Sequence, residues 1–110
     1  ALCDVRQQAI DGSVRQVERY NKEHGIDRPL PERFFDYREM FDEMGDRIDA
    51  VFVATPDNLH APASMTAIKQ GKHVYCEKPL AHCIWECRQL TLAAREAKVA
   101  TQKPIAFTGK

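Results

Sequence analysis

No run in this 110-residue chain approaches the roughly 18 consecutive apolar residues of a membrane-spanning helix. No secretory signal opens it either, which leaves open only a targeting segment ahead of Ala1. Neither charge is in excess: 16 Lys and Arg balance 16 Asp and Glu, so the net charge is zero. Nucleic acids and anionic membranes are bound by basic surfaces, and both are therefore unlikely partners on charge alone. The four cysteines contain no Cys-x-x-C pair of the zinc-site kind. Internal repeats, low-complexity segments and a Gly-x-Gly-x-x-Gly loop are also missing. What remains is an ordinary globular composition, 44% hydrophobic and 29% charged, long enough for one small domain.

The cysteines read mainly as core residues. Cys3 and Cys76 fall inside apolar strand-like runs. Cys83 and Cys87 begin the series Cys83, Cys87, Leu90, Ala94, Ala97, whose spacing marks the buried stripe of a helix. A buried free thiol packs as a small hydrophobe. A metal site built on His82, Cys83 and Cys87 is the weaker alternative, and the expected metal content is none. Reduced thiols point to a cytoplasmic protein.

Along the chain, Ala1–Val5 suits a short strand whose end carries Asp4. Ser13 and Gln16 form a capping-box pair ahead of a helix with Ile10, Val14, Val17 and Tyr20 on one face, stopped by Gly25. Phe34–Tyr37 predicts a short strand, followed by a helix through Met44 and a turn at Gly45. Asp49–Thr55 is almost uniformly apolar, as expected of a strand covered on both faces. The next helix carries Pro62 in its first turn and Ala61, Met65 and Ile68 on its inner face, and ends at Gly71. A strand at His73–Cys76, a helix from after Pro79 to about Lys98, and a strand at Val99–Gln102 complete the pattern.

Two strands joined by one helix form a βαβ crossover, so Asp49–Thr55 and His73–Cys76 should be parallel neighbours. Ligands of such sheets bind at the carboxyl ends of the strands. The turns that leave those ends place Thr55, Asn58, His60, Glu77 and Lys78 on one rim. Asn58 is read both as a helix cap and as a cofactor contact, and His60 both as a pocket residue and as a hydrogen-bonded core histidine.

The run DAVFVATPDNLHAPASMTAIKQGKHVYCEKPLAH, with ALCDV and FFDYREMF before it, resembles the Gfo/Idh/MocA oxidoreductases, relatives of glucose-fructose oxidoreductase and inositol dehydrogenase. The resemblance implies an α/β fold with a Rossmann-type doubly wound parallel sheet, and NAD(P)-dependent hydride transfer on a sugar, inositol or related polyol. It makes Lys78 the catalytic group that moves the substrate hydroxyl proton, its cationic form disfavoured beside a positively charged nicotinamide. Thr55, Pro56, Asn58, His60, Glu77, Lys78 and Pro79 would line the cofactor, with Pro79 aiming Lys78. Asp4 would bind the adenosine ribose hydroxyls and repel a 2′-phosphate, favouring NAD over NADP. Arg6 weakens that preference, since a guanidinium pairs with phosphate. The resemblance also implies a homo-oligomer.

The chain departs from that pattern in two ways. The ribose acid normally follows the glycine loop by about 20 residues, whereas here it is the fourth residue. The ending KPIAFTGK also diverges. The expected organisation is an incomplete dinucleotide-binding domain over 1–102, lacking the first β-α unit, with a divergent tail over 103–110 in which Ile105–Phe107 fills the slot of the missing central strand or, as the short joint at Lys103–Pro104 favours, extends the sheet edge or stays disordered. Such a fragment is expected to be inactive alone. A non-catalytic nucleotide-binding or interaction module and an inactive truncated product are the alternatives.

Overall fold

The computed structural model describes residues 1–103, so the expectation for Ile105–Phe107 lies outside the described residues. The chain folds as two compact units, Ala1–Gly45 and the part from Asp46 onward. Both are α/β, and every strand pairing is parallel. No helix of the described residues is long and apolar enough to cross a membrane.

In the first unit, β1 (Leu2–Cys3) and β2 (Arg33–Phe34) pair in register Leu2 to Arg33 and Cys3 to Phe34, joined by α1 (Gln7–His24). The helix starts six residues before Ser13, so the capping-box expectation fails. Its cause is Asp4, whose carboxylate accepts from the Arg6 amide at 2.8 Å and turns the chain straight from strand into helix. The expected apolar face is half right: Ile10 and Val14 are buried, whereas Tyr20 is exposed and stacks on His24. Gly25 ends the helix at φ 63°, the left-handed region open to glycine, and with Ile26 it returns amides to the Asn21 carbonyl. Helix α2 (Tyr37–Met44) is capped by the Asp36 carboxylate and buries Met40, Phe41 and Met44. A single 3-10 turn, Gly45–Arg47, follows.

The second unit is a three-stranded sheet in the order β3 (Ala50–Val53), β4 (His73–Cys76), β5 (Thr101–Gln102). Its crossovers are α3 (Asp57–Lys69) and α4 (Ile84–Ala97), which pack together. The core is built from Val53, Val74, Cys76, Ala61, Ala67, Ile68, Leu90 and Ala94. Met65 is only half-buried, so the α3 inner face is Ala61, Ala67 and Ile68 instead. Strand β3 is not covered on both faces: Phe52 is 64% exposed and lies flat against Tyr75, ring centroids 4.8 Å apart. Its apolar run pairs an inward Val53 with this outward aromatic ladder.

Two helix starts also differ from expectation. Pro56 is the N-cap residue of α3, so Asn58 sits inside the first turn and does not cap it, and Pro62 falls in the second turn. Helix α4 begins only after Cys83, because the Glu86 carboxylate accepts from the His82 amide at 2.8 Å and fixes the first turn there. Cys83 is therefore an exposed cap residue and Cys87 half-buried, and the buried stripe reduces to Leu90 and Ala94.

Candidate functional site

Parallel pairing of β3 with β4 sets Val53 beside Cys76, so the chain leaves both strands at the same sheet edge. After Val53 comes the turn of Thr55 and Pro56; after Cys76 comes Glu77-Lys78-Pro79. The Glu77 amide donates to the Val53 carbonyl at 2.9 Å, which continues the ladder by one bond and brings the second turn against the first.

Two buried side chains then hold the second turn from beneath. The single Cys76 S–H is shared between the carbonyls of Glu77, at 3.4 Å, and Leu80, at 3.9 Å. His60, 1% exposed, reaches up from the first turn of α3. Its Nδ1 meets the Pro79 carbonyl, and its Nε2 meets the Thr55 carbonyl at 2.8 Å. The Lys78–Pro79 peptide bond is cis. The backbone on either side of Lys78 is thus fixed at Glu77, Pro79 and Leu80, while the Lys78 side chain is exposed. A flexible cation on an anchored turn can meet a ligand at this rim and exchange protons with water.

Burial pushes the Cys76 thiol up, and the neighbouring Glu77 carboxylate adds to that. The Ser64 hydroxyl works in the opposite direction, yet it stops short of hydrogen-bond geometry and has no partner of its own. A cavity of about 150 Å³ lies there, lined by Ser64, Ile68, Val74, Cys76, Leu80 and Leu90 among others. Cys76 is the site residue that sequence reasoning took for core alone. Its adjacency to the Glu-Lys-Pro turn was the available signal.

The structure brings Thr55, Pro56, His60, Glu77, Lys78 and Pro79 together within the second unit. Asn58 lies one residue into α3 and is exposed. Asp4 and Arg6 belong to the first unit, where they engage each other: besides the amide bond, the Arg6 guanidinium stands 3.8 Å from Asp4 Oδ1. Among the described residues, no three His, Cys, Asp or Glu side chains are grouped to hold a metal ion.

The family model for the oxidoreductase family with an NAD-binding Rossmann fold, Gfo/Idh/MocA, matches residues 7–104. The chain belongs to this family. As a Gfo/Idh/MocA chain it is 34% identical over 102 residues to glycosyl hydrolase family 109 protein 1 of Shewanella sp. (strain ANA-3), a match covering 89% of the chain and 20% of that protein. An NAD binding oxidoreductase from Klebsiella pneumoniae superposes with a TM-score of 0.66 at 34% identity, over 94% of the chain and 24% of its own. An inositol dehydrogenase homolog from Azotobacter vinelandii, solved with NADH and myo-inositol, gives a TM-score of 0.60 at 35% identity, over 62% and 19%. This Gfo/Idh/MocA chain therefore spans about a fifth to a quarter of these relatives.

Proposed function

We propose that the chain is part of an NAD(P)-dependent oxidoreductase that transfers hydride to or from a sugar, inositol or related polyol, with Lys78 as its proton-transfer group. The observation that carries this reading is the anchored turn: an exposed lysine between backbone groups tied down on both sides, at the carboxyl ends of two parallel strands. When bound, the nicotinamide supplies the hydride acceptor or donor. Oxidising a secondary alcohol to a ketone also releases the hydroxyl proton, and the Lys78 amine takes it and passes it to solvent. Thr55 and Asn58, both polar and at the rim, fit the ribose and nicotinamide half of the cofactor. The pyrophosphate is different. Helix α3 opens with Pro56 and Asp57, and a carboxylate in the first turn competes for the positive helix end that an anion would need.

Asp4 supports NAD over NADP, since its carboxylate accepts from a ribose hydroxyl and repels a phosphate. Arg6 already leans on Asp4, through a solvent-exposed pair of small strength. A homo-oligomer in the cytoplasm completes the reading, the latter supported by four free thiols.

The test is Lys78→Ala in the full-length enzyme. Turnover should fall roughly 100-fold or more, the range for a positioned proton-transfer group, while NAD affinity changes far less. Near-native turnover in the variant would leave Lys78 as a solvated turn residue. Identity to the Shewanella glycosyl hydrolase favours a second reading, cleavage of a glycoside at the same rim. Release of free sugar from a glycoside, without net reduction of added NAD, would select it.

A further inference from the structure

The ring of His60 touches two main-chain carbonyls, of Pro79 through Nδ1 and of Thr55 through Nε2, and is 1% exposed. Carbonyl oxygens only accept hydrogen bonds. A neutral imidazole offers one N–H and one bare lone pair, so it can satisfy one of these carbonyls and must repel the other. A ring carrying protons on both nitrogens satisfies both. Building on the reading of Lys78 above, we propose that His60 is a positioning residue that clamps the two turns of the site together as a doubly protonated ring.

The groups around the ring act in both directions. Burial opposes a charged ring, and so does its place in the first turn of α3, where the helix end is already positive. Lys78 on the clamped turn opposes it as well. Asp57 in the same helical turn and Glu77 beside the clamped carbonyls favour it. From β4 comes the Cys76 thiol, which carries no charge while protonated. From the start of α4 come His82, Glu86, Cys83 and Cys87, with Glu86 already committed to the His82 amide. Strand β3 brings no titratable group to this end. The direct contacts decide the outcome: two donated, charge-assisted bonds replace one neutral bond and one lone-pair clash.

Loss of the second proton releases one carbonyl. The first turn and the Glu-Lys-Pro turn then separate, and Lys78 loses its aim. The same logic makes His60 irreplaceable by a residue with a single donor direction.

Nitrogen NMR of the protein labelled with ¹⁵N-histidine reads this directly, with the His60 signals assigned by their absence from His60→Gln. Both His60 nitrogens should show bonded protons in the folded protein. One protonated and one bare nitrogen would overturn the proposal, and this readout needs no variant to stay active. In turnover of the full-length enzyme, His60→Gln should lower kcat by roughly 10- to 100-fold, as expected when a reacting group is displaced by about an ångström, with substrate KM changing less. Unchanged kcat in a folded His60→Gln would refute the positioning role. A doubly protonated ring combined with full activity in Lys78→Ala would keep the clamp as a structural fact and remove the lysine's proton transfer, so the two readings fail separately.

Discussion

The four thiols show how position along an element sets chemistry at a single residue. Cys76 closes β4 and is 1% exposed, and burial first, then Glu77, push its thiol up. Cys3 is half-buried in β1, and burial raises it too, with Asp36, Asp4 and Glu39 adding to the effect. Cys83 is an exposed cap residue. Reaction with an alkylating reagent needs both access and thiolate. Timed alkylation under native conditions, followed by peptide mass mapping, should therefore modify Cys83 first, Cys87 next, and Cys3 and Cys76 last. Rapid loss of the Cys76 thiol in folded protein would mean that the Glu-Lys-Pro turn opens readily, which contradicts its anchoring. The four side chains share one sequence signature, small and sulfur-bearing beside apolar neighbours. Only the placement of the α4 start, one residue beyond Cys83, separates the outer thiol from the inner ones.

At the scale of elements, the legible parts were those set by local rules. The βαβ order of the second unit follows from two apolar runs around one helix, and the stop of α1 follows from a glycine that can adopt a left-handed turn. The parts that were not legible depend on partners brought by folding. The Asp4 carboxylate overrides the Ser13 box by capturing the Arg6 amide, and Glu86 delays α4 by capturing the His82 amide. That Thr55, Glu77 and Lys78 share one rim was legible, because neighbouring parallel strands leave the sheet at the same edge. The link between His60 and Pro79 was not, because it joins residues 19 apart through the pairing of two strands. Helix α3 offers a test of how well its packing face is satisfied. Ser64 is 1% exposed, its hydroxyl lacks a hydrogen-bond partner, and it borders the cavity beneath the turn. An unpaired buried hydroxyl costs about 1–3 kcal/mol, and alanine is also the better helix former. Ser64→Ala should therefore raise stability by about 1 kcal/mol once the slightly larger cavity is set against these gains. In urea unfolding this appears as a higher midpoint with an unchanged slope. A variant less stable than the parent would mean that a water or ligand in the cavity satisfies the hydroxyl.

For the molecule as a whole, the question is how much of a dinucleotide these 110 residues can hold. The pyrophosphate carries two negative charges, and Rossmann domains meet them with a glycine-rich turn opening onto a helix N-terminus. None of the glycines among the described residues serves that purpose. Gly12 lies within α1, Gly25 and Gly45 end helices, and Gly71 forms the turn before β4. Three of the four α-helix starts among the described residues are committed, whereas α1 opens at Gln7 with no side-chain cap and no acid in its first turn, and no glycine turn leads into it. Glu39 follows the Asp36 cap of α2, Asp57 opens α3, and Glu86 occupies the first turn of α4, so each already offers its own carboxylate to the positive end. On the proposed reading, Thr55, Asn58 and Lys78 at the rim address the nicotinamide riboside half of the cofactor, not its pyrophosphate. NAD should therefore bind the 110-residue chain weakly, and nicotinamide riboside, which lacks the pyrophosphate, should lose little affinity relative to NAD. Calorimetry with both ligands checks this. A submicromolar dissociation constant for NAD, with riboside binding far weaker, would mean that the chain holds a pyrophosphate site built without a glycine turn, and the assignment of the rim to the nicotinamide half would have to be abandoned.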